Sequence, residues 1–400
     1  MADFGGVDLS AFRDEVRAWI AANFPPALTG AAAPEGRELS PEQDAWRRAV
    51  GEKGWGVPTW PAAYGGGGLG RSEARVIAEE LAAAGAYNPI GGMGVMMFGP
   101  TLLEYGDEAQ KRRHIPPIAR GELRWCQGFS EPGAGSDLAG LQTRAADAGD
   151  RYVVDGQKVW TSGAQWADWC FCLVRTDPSK KHEGISFLLI DMRTPGVEVR
   201  PILLINGTSP FCETFFTGVE VPKANLVGPL NGGWTIAKRL LQHEREGISG
   251  ANQAGAPGVT PGPPLPELAV SLVGRDDDGR LADPDLRRRL TDHLMEARAF
   301  QLTGRRAAAE ARSNQGPSAA SSVLKNVGSK VRQARAELTI ETLGHRGLGW
   351  EGDAFGPDDL GAVRAWLRGK SGTIAGGSWE VQLNIISKRI LGLPETTPSR

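Results

Sequence analysis

Apolar positions in the first third of the chain recur at helical spacing. Leu9, Phe12, Val16, Trp19 and Ile20 form one stripe, which Asp8 can cap and Pro25-Pro26 stops. The same reading predicts helices over residues 41–53, 72–85, 101–105 and 108–118. From Trp125 the period changes. Val153-Val154 and residues 169–174, 185–190, 197–199 and 214–216 are apolar or alternating, with Gly, Pro and Asp turns between them, and predict strands. Tyr152 and Val154 lead into Asp155-Gly156, which reads as a hairpin turn. Helical spacing returns at Gly233-Trp234. It predicts helices over 234–246, from Pro284 (behind an Asp283 cap) through Ser313, over 319–343 and 358–369, and behind a Ser378 cap with Val381, Ile385 and Ile390 on one face. The fold class expected is α+β. An N-terminal helical domain spans 1–124, a small β-barrel or sandwich 125–229, and a C-terminal four-helix bundle 230–400.

The 400 residues suffice for a sizeable core. A net charge of −2 gives no pull toward nucleic acid or an anionic membrane. No apolar run reaches the roughly 18 residues of a membrane span, and the start shows no secretory pattern. Cys126, Cys170, Cys172 and Cys212 form no CxxC motif, so reduced, buried thiols and a cytoplasmic setting are expected. No metal site is expected: His243 lacks partners at ligand spacing, and Asp276-Asp277-Asp278-Gly279 reads as a surface turn. The run Gly65-Gly66-Gly67-Gly68 lacks a following Lys-Ser/Thr and reads as a flexible turn rather than a phosphate loop.

The candidate chemistry lies in residues 128–140, Gly-Phe-Ser-Glu-Pro-Gly-Ala-Gly-Ser-Asp-Leu-Ala-Gly. Its small residues let a backbone approach a flat or phosphorylated ligand, while Glu131 and Asp137 read as carboxylates capping loop amides. Residues 157–164, Gln-Lys-Val-Trp-Thr-Ser-Gly-Ala, add an aromatic plate and more hydroxyls. Two loops on adjacent strands are thus expected to converge on one planar cofactor.

In domain order and in these motifs the chain resembles the acyl-CoA dehydrogenases, and the resemblance runs through Thr-Ile-Ala-Gly-Gly-Ser-Trp-Glu-Val-Gln at 373–382. It implies FAD as cofactor and oxidation of an acyl-CoA thioester to the 2,3-enoyl-CoA. Gln127, Phe129, Ser130, Gly135, Ser136, Trp160, Thr161, Ser162, Gly377, Ser378 and Glu380 are then the cofactor-binding residues. Ser136 would also lie beside the thioester. Many relatives carry the catalytic base where Gly376 stands; a minority, including isovaleryl-CoA dehydrogenase, place it on a helix after the β domain, just before an Arg. Glu244-Arg245 matches that place, so Glu244 is the expected base, with Arg245 and the Gly376 N–H at the substrate. A solvated helix residue paired with Lys238 or Arg239 is the alternative for Glu244. An Arg-x-x-Phe-Gly motif, which in many members contacts the FAD pyrophosphate of a neighbouring subunit, has no counterpart here. The implied partners are an electron-transfer flavoprotein and further subunits in a homotetramer or heterotetramer. Two alternatives stand beside the dehydrogenase: a non-catalytic or half-site subunit of a heteromeric enzyme, and an acyl-CoA oxidase of the same fold.

Overall fold

The computed structural model describes residues 8–31, 33–34, 38–249, 264–313 and 321–394; side chains at 242–249, 308, 311–313 and 321 lie outside that description. The chain forms two compact units, one of Met1–Ile202 with Pro210–Glu244, the other of Leu203–Ser209 with Arg245–Arg400.

The first unit opens with five helices: α1 (Ser10–Asn23), α2 (Pro41–Lys53), α3 (Arg71–Ala83), α4 (Gly99–Tyr105) and α5 (Glu108–Ala119). Their starts follow local chemistry. Ser40 and Gln43 close a capping box on α2, and Asp107 accepts the Gln110 N–H at 2.8 Å on α5. Asp8 does not cap α1 in the expected way; Leu9 is the N-cap residue, and Asp8 accepts the Ser10 N–H at 2.9 Å. Val16, Ile20, Trp46 and Val50 are buried, and Trp19 packs edge-on to Trp55. Buried Glu80 on α3 receives Arg13 and Arg17 of α1. The glycine run is not a loose turn. Gly66, Gly67 and Gly68 N–H donate to Pro61, Val57 and Trp60 carbonyls, and a Cβ on Gly66 would lie 2.3 Å from the Trp60 oxygen. Those amides are already used by the neighbouring Trp/Pro loop.

Seven strands follow: β1 (Trp125–Gly128), β2 (Arg144–Asp147), β3 (Arg151–Ser162), β4 (Trp169–Arg175), β5 (Ile185–Asp191), β6 (Val197–Ile202) and β7 (Phe211–Pro222). They form one curled sheet in the order β1-β4-β2-β3-β7-β6, with β5 on β4. Every residue of β4 is buried, as expected for a strand covered on both faces. Phe171 and Leu173 face the cluster shared with the helices, while Cys170, Cys172 and Val174 face a second cluster with Cys126, Leu188 and Val154. All four cysteines are free and buried.

Asp155-Gly156 is not the hairpin turn that its composition suggests. β3 runs through it, paired with β7, and the register shifts between Val154 and Gly156. A Cβ on Gly156 would meet Thr143 at 2.5 Å, so the glycine serves a close strand approach at a bulge. The turn into β3 comes earlier, where Ala148 N–H donates to the Arg151 carbonyl.

Helix α6 (Gly233–Ser249) leads from the first unit into the second, which holds α7 (Leu265–Val273), α8 (Pro284–Ser313), α9 (Ser321–Leu343), α10 (Pro357–Gly369) and α11 (Trp379–Ile385). Helix α9 packs against α7, α8, α10 and α11. Leu265, Leu286, Leu290 and Leu338 form its core, and Asp283 caps α8 by accepting the Leu286 N–H at 2.9 Å. No helix among the described residues is long and apolar enough to cross a membrane.

Candidate active site

The glycine- and serine-rich loop leaves β1 at Gly128. A Cβ there would meet the Cys170 and Cys172 sulfurs at 2.8 and 3.0 Å, so only glycine lets β1 lie so close to β4. Glu131 and Ala134 then exchange backbone hydrogen bonds of 3.1 and 3.0 Å, folding Pro132-Gly133 into a tight turn. Gly135, Ser136 and Asp137 are exposed. Beyond them, buried Arg175 grips the returning chain: its guanidinium donates to the Ala139 and Leu141 carbonyls and, across the next loop, to those of Lys180 and Lys181. Desolvation lowers the Arg175 pKa; with five donors it satisfies itself on carbonyls.

The second motif is the end of β3. Val159 N–H donates to the Ser130 carbonyl at 2.9 Å, which brings the two motifs edge to edge although β4 and β2 separate their strands in the sheet. The two motifs thus come together within the first unit, though not on adjacent strands as expected. A second register shift falls between Lys158 and Thr161, where three β3 steps oppose two on β7. This bulge turns Trp160 outward. It sits at φ 60°, one of two non-glycine residues with positive φ among those described, and is 54% exposed. Its ring makes a T-shaped contact with that of Phe211, centroids 6.1 Å apart. A bulky residue held in the left-handed region stores strain, and such positions cluster at functional sites.

The expected cofactor residues divide by orientation. Ser130, Ser162 and Gln127 are half-buried, and Ser136 and Trp160 are exposed. Phe129 and Thr161 turn inward. The Phe129 ring packs edge-on to Phe171 and Phe187, and the buried Thr161 hydroxyl has no hydrogen-bond partner among the described residues. Those two offer backbone, not side chain, to a ligand. Asp137 is exposed and paired with Lys181 at 2.9 Å.

Lys158 was not singled out by its sequence, though a lysine on the inward register of an apolar strand calls for a buried counter-charge. It is fully buried, with Nζ 2.7 Å from Glu131 Oε1. Burial alone would raise the Glu131 carboxyl, but the Lys158 ammonium and the Gln142 and Thr143 amides hold its pKa below the usual range.

In the second unit, Gly376 and Gly377 have φ of 67° and 92°, and a Cβ on Gly376 would meet nothing within 4 Å. Ser378 caps α11 by accepting the Val381 N–H. Glu380 is exposed, its carboxyl lowered by its own backbone N–H and the Ser378 hydroxyl. Trp379 Nε1 donates to Ser329 Oγ at 2.6 Å, fixing this segment on α9. Glu244 and Arg245 lie on α6 as expected, but their side chains fall outside the described residues. Among the described residues no cluster of His, Cys, Asp or Glu is suited to a metal ion.

Comparison with known proteins extends over the same span. The profiles of the acyl-CoA dehydrogenase N-terminal, middle and C-terminal domains match residues 7–122, 126–219 and 231–391. The chain is 37% identical to acyl-CoA dehydrogenase IpdE1 of Mycobacterium tuberculosis, over 97% of its own length and 98% of that protein. It is 41% identical to acyl-CoA dehydrogenase FadE34 of the same organism, covering 86% of this chain but only 46% of that longer protein. The solved structure of the Tcur3481-Tcur3483 steroid ACAD superposes with a TM-score of 0.75 at 30% identity, covering 99% of this chain and all of that one.

Proposed function

The chain belongs to the acyl-CoA dehydrogenase family, and on that footing we propose that it dehydrogenates a bulky acyl-CoA thioester at its α,β bond. Members of the family are FAD-dependent oxidoreductases. The observation that carries the reading is the exposed, strained Trp160 on the edge where Val159 meets Ser130 and β3 ends at Ser162, an edge suited to a flat ring system. When bound, FAD supplies the acceptor for the β-hydride.

The chain's own residues do the rest. Ser130 and Ser162 would hold the flavin through their hydroxyls, and Trp160 would offer its ring as an apolar cover. Ser136, with Gly135 beside it, lies on the exposed turn where a thioester can approach. Glu244 takes the α-proton, and the Gly376 N–H stabilises charge on the thioester oxygen. Gly377, Ser378, Glu380 and Arg245 complete the set.

Bulk in the acyl group is favoured by residues 91–98. Cβ atoms on Gly91 and Gly92 would meet nothing within 4 Å, Gly94–Phe98 forms a widened helical turn, and Met96 is 56% exposed. The steroid named for a structural relative is the class we assign. On this reading an electron-transfer flavoprotein would be the electron acceptor; peroxide formed at the turnover rate would instead mark an oxidase.

The test is an absorption spectrum of the purified chain during titration with steroid-CoA and straight-chain acyl-CoA thioesters. Steroid thioesters should bleach the flavin band at lower concentration. Glu244→Gln should keep the band and slow bleaching by about 10²–10⁴-fold; undiminished bleaching rules Glu244 out as the base. A second reading, a half-site subunit of a heteromeric enzyme, is favoured by the absent Arg-x-x-Phe-Gly motif. It predicts a colourless chain that gains flavin only with its partner.

A further inference from the structure

We propose that the buried Glu131–Lys158 ion pair is a positioning device that holds Ser130 and Trp160 in register at the flavin-facing edge. The proposal deepens, and rests on, the reading of that edge as a flavin seat. Each partner reaches the opposite motif. Lys158, on β3, donates to the Phe129 carbonyl at 3.1 Å and to Glu131 Oε1 at 2.7 Å. Glu131, on the loop after β1, accepts the Gln142 and Thr143 N–H at 2.6 and 2.9 Å. One ammonium therefore holds the loop where it leaves β1, and one carboxylate holds it where it returns as β2. Ser130 lies between the two anchored residues, with its carbonyl tied to Val159.

The pair also marks the start of the bulge. Lys158 is the last β3 residue in register with β7 before the shift, two positions ahead of Trp160. Burying two charges is expensive, and an apolar pair of similar volume often stabilises a fold as well or better. Apolar contact, however, is non-directional. Four polar contacts from two buried charges fix an orientation that apolar packing does not, and the strained residue lies two positions beyond Lys158.

The alternative is a plain folding staple, and a double substitution separates the two. Lys158→Met alone leaves a buried, unpaired carboxylate and should melt well below wild type. Adding Glu131→Gln removes that charge and should recover most of the melting temperature. If the pair positions the edge, both variants exchange the Val159 N–H at least about 10-fold faster, and apo-protein binds FAD at least about 10-fold more weakly, despite recovered stability. A double variant with wild-type Val159 protection and wild-type FAD affinity overturns the proposal. Faster Val159 exchange in a chain whose wild type binds no FAD upholds the clamp and defeats the flavin reading. Should the double variant not fold, Glu131→Gln alone carries the same two measurements, since its amide oxygen still accepts one backbone N–H.

Discussion

Single residues carry two further consequences. His114 is buried, edge-on to Trp125 and Trp169, and burial, with Arg113 adding, pushes its pKa down to about 4. The folded chain thus keeps it neutral where an unfolded chain, titrating near 6.5, takes up a proton. Between those values the unfolded state binds more protons, so stability falls as pH drops through that window and levels off below it. The full window corresponds to about 3 kcal/mol. Unfolding free energy measured against pH should show this acid slope, and His114→Gln should flatten it. Trp160 gives the opposite kind of prediction. Its φ of 60° costs about 1–3 kcal/mol for a bulky side chain, and glycine adopts that conformation freely. Trp160→Gly apo-protein should therefore be at least as stable as wild type in denaturant melts, yet bind FAD less tightly. A destabilised variant would mean that the Phe211 contact outweighs the strain.

At the scale of elements, what was legible depended on whether the signal was local. Helix starts were legible where a cap is a matter of a few neighbouring residues: Asp283 and Ser378 accept the amides their positions suggest, whereas Asp8 does not cap α1. Apolar β4 and β5 were equally plain. Asp155-Gly156 misled because its cause is distant: the glycine admits Thr143 from the segment leading into β2. The inward turn of Thr161 was hidden for a related reason. A one-residue bulge between Lys158 and Thr161 resets the alternation, and no composition rule marks it. The glycine run at 65–68 looked permissive, but Gly66 and Gly67 are packed on backbone. Gly66→Ala should consequently destabilise the first unit by about 1–3 kcal/mol, since the Trp60 carbonyl has no side-chain freedom to yield. An unchanged melting curve would show that this loop shifts as a body.

For the whole molecule, the distribution of exposed apolar side chains bears on assembly. Of the sixteen large apolar residues exposed among those described, Met96, Trp160 and Leu230 belong to the first unit and the other thirteen to the second. Leu203, Ile205, Leu348, Ile374 and Leu391 are each more than 60% exposed. Scattered exposure is normal, but a bias this strong toward one unit is what burial of part of that unit by association would leave in a single chain. A net charge of only −2 adds little repulsion between copies. We expect the second unit to carry the subunit contacts, with a second copy of this chain or a related subunit as occupant. Light scattering should give a mass that is a multiple of 42.6 kDa for the chain alone, or a mixed assembly only when the related subunit is added. Leu383→Asp with Leu391→Asp should shift either assembly toward monomer at micromolar concentration while leaving the His114 acid slope intact, because that slope belongs to the first unit. A soluble wild-type monomer that binds FAD and acyl-CoA by itself would show that these side chains serve no interface.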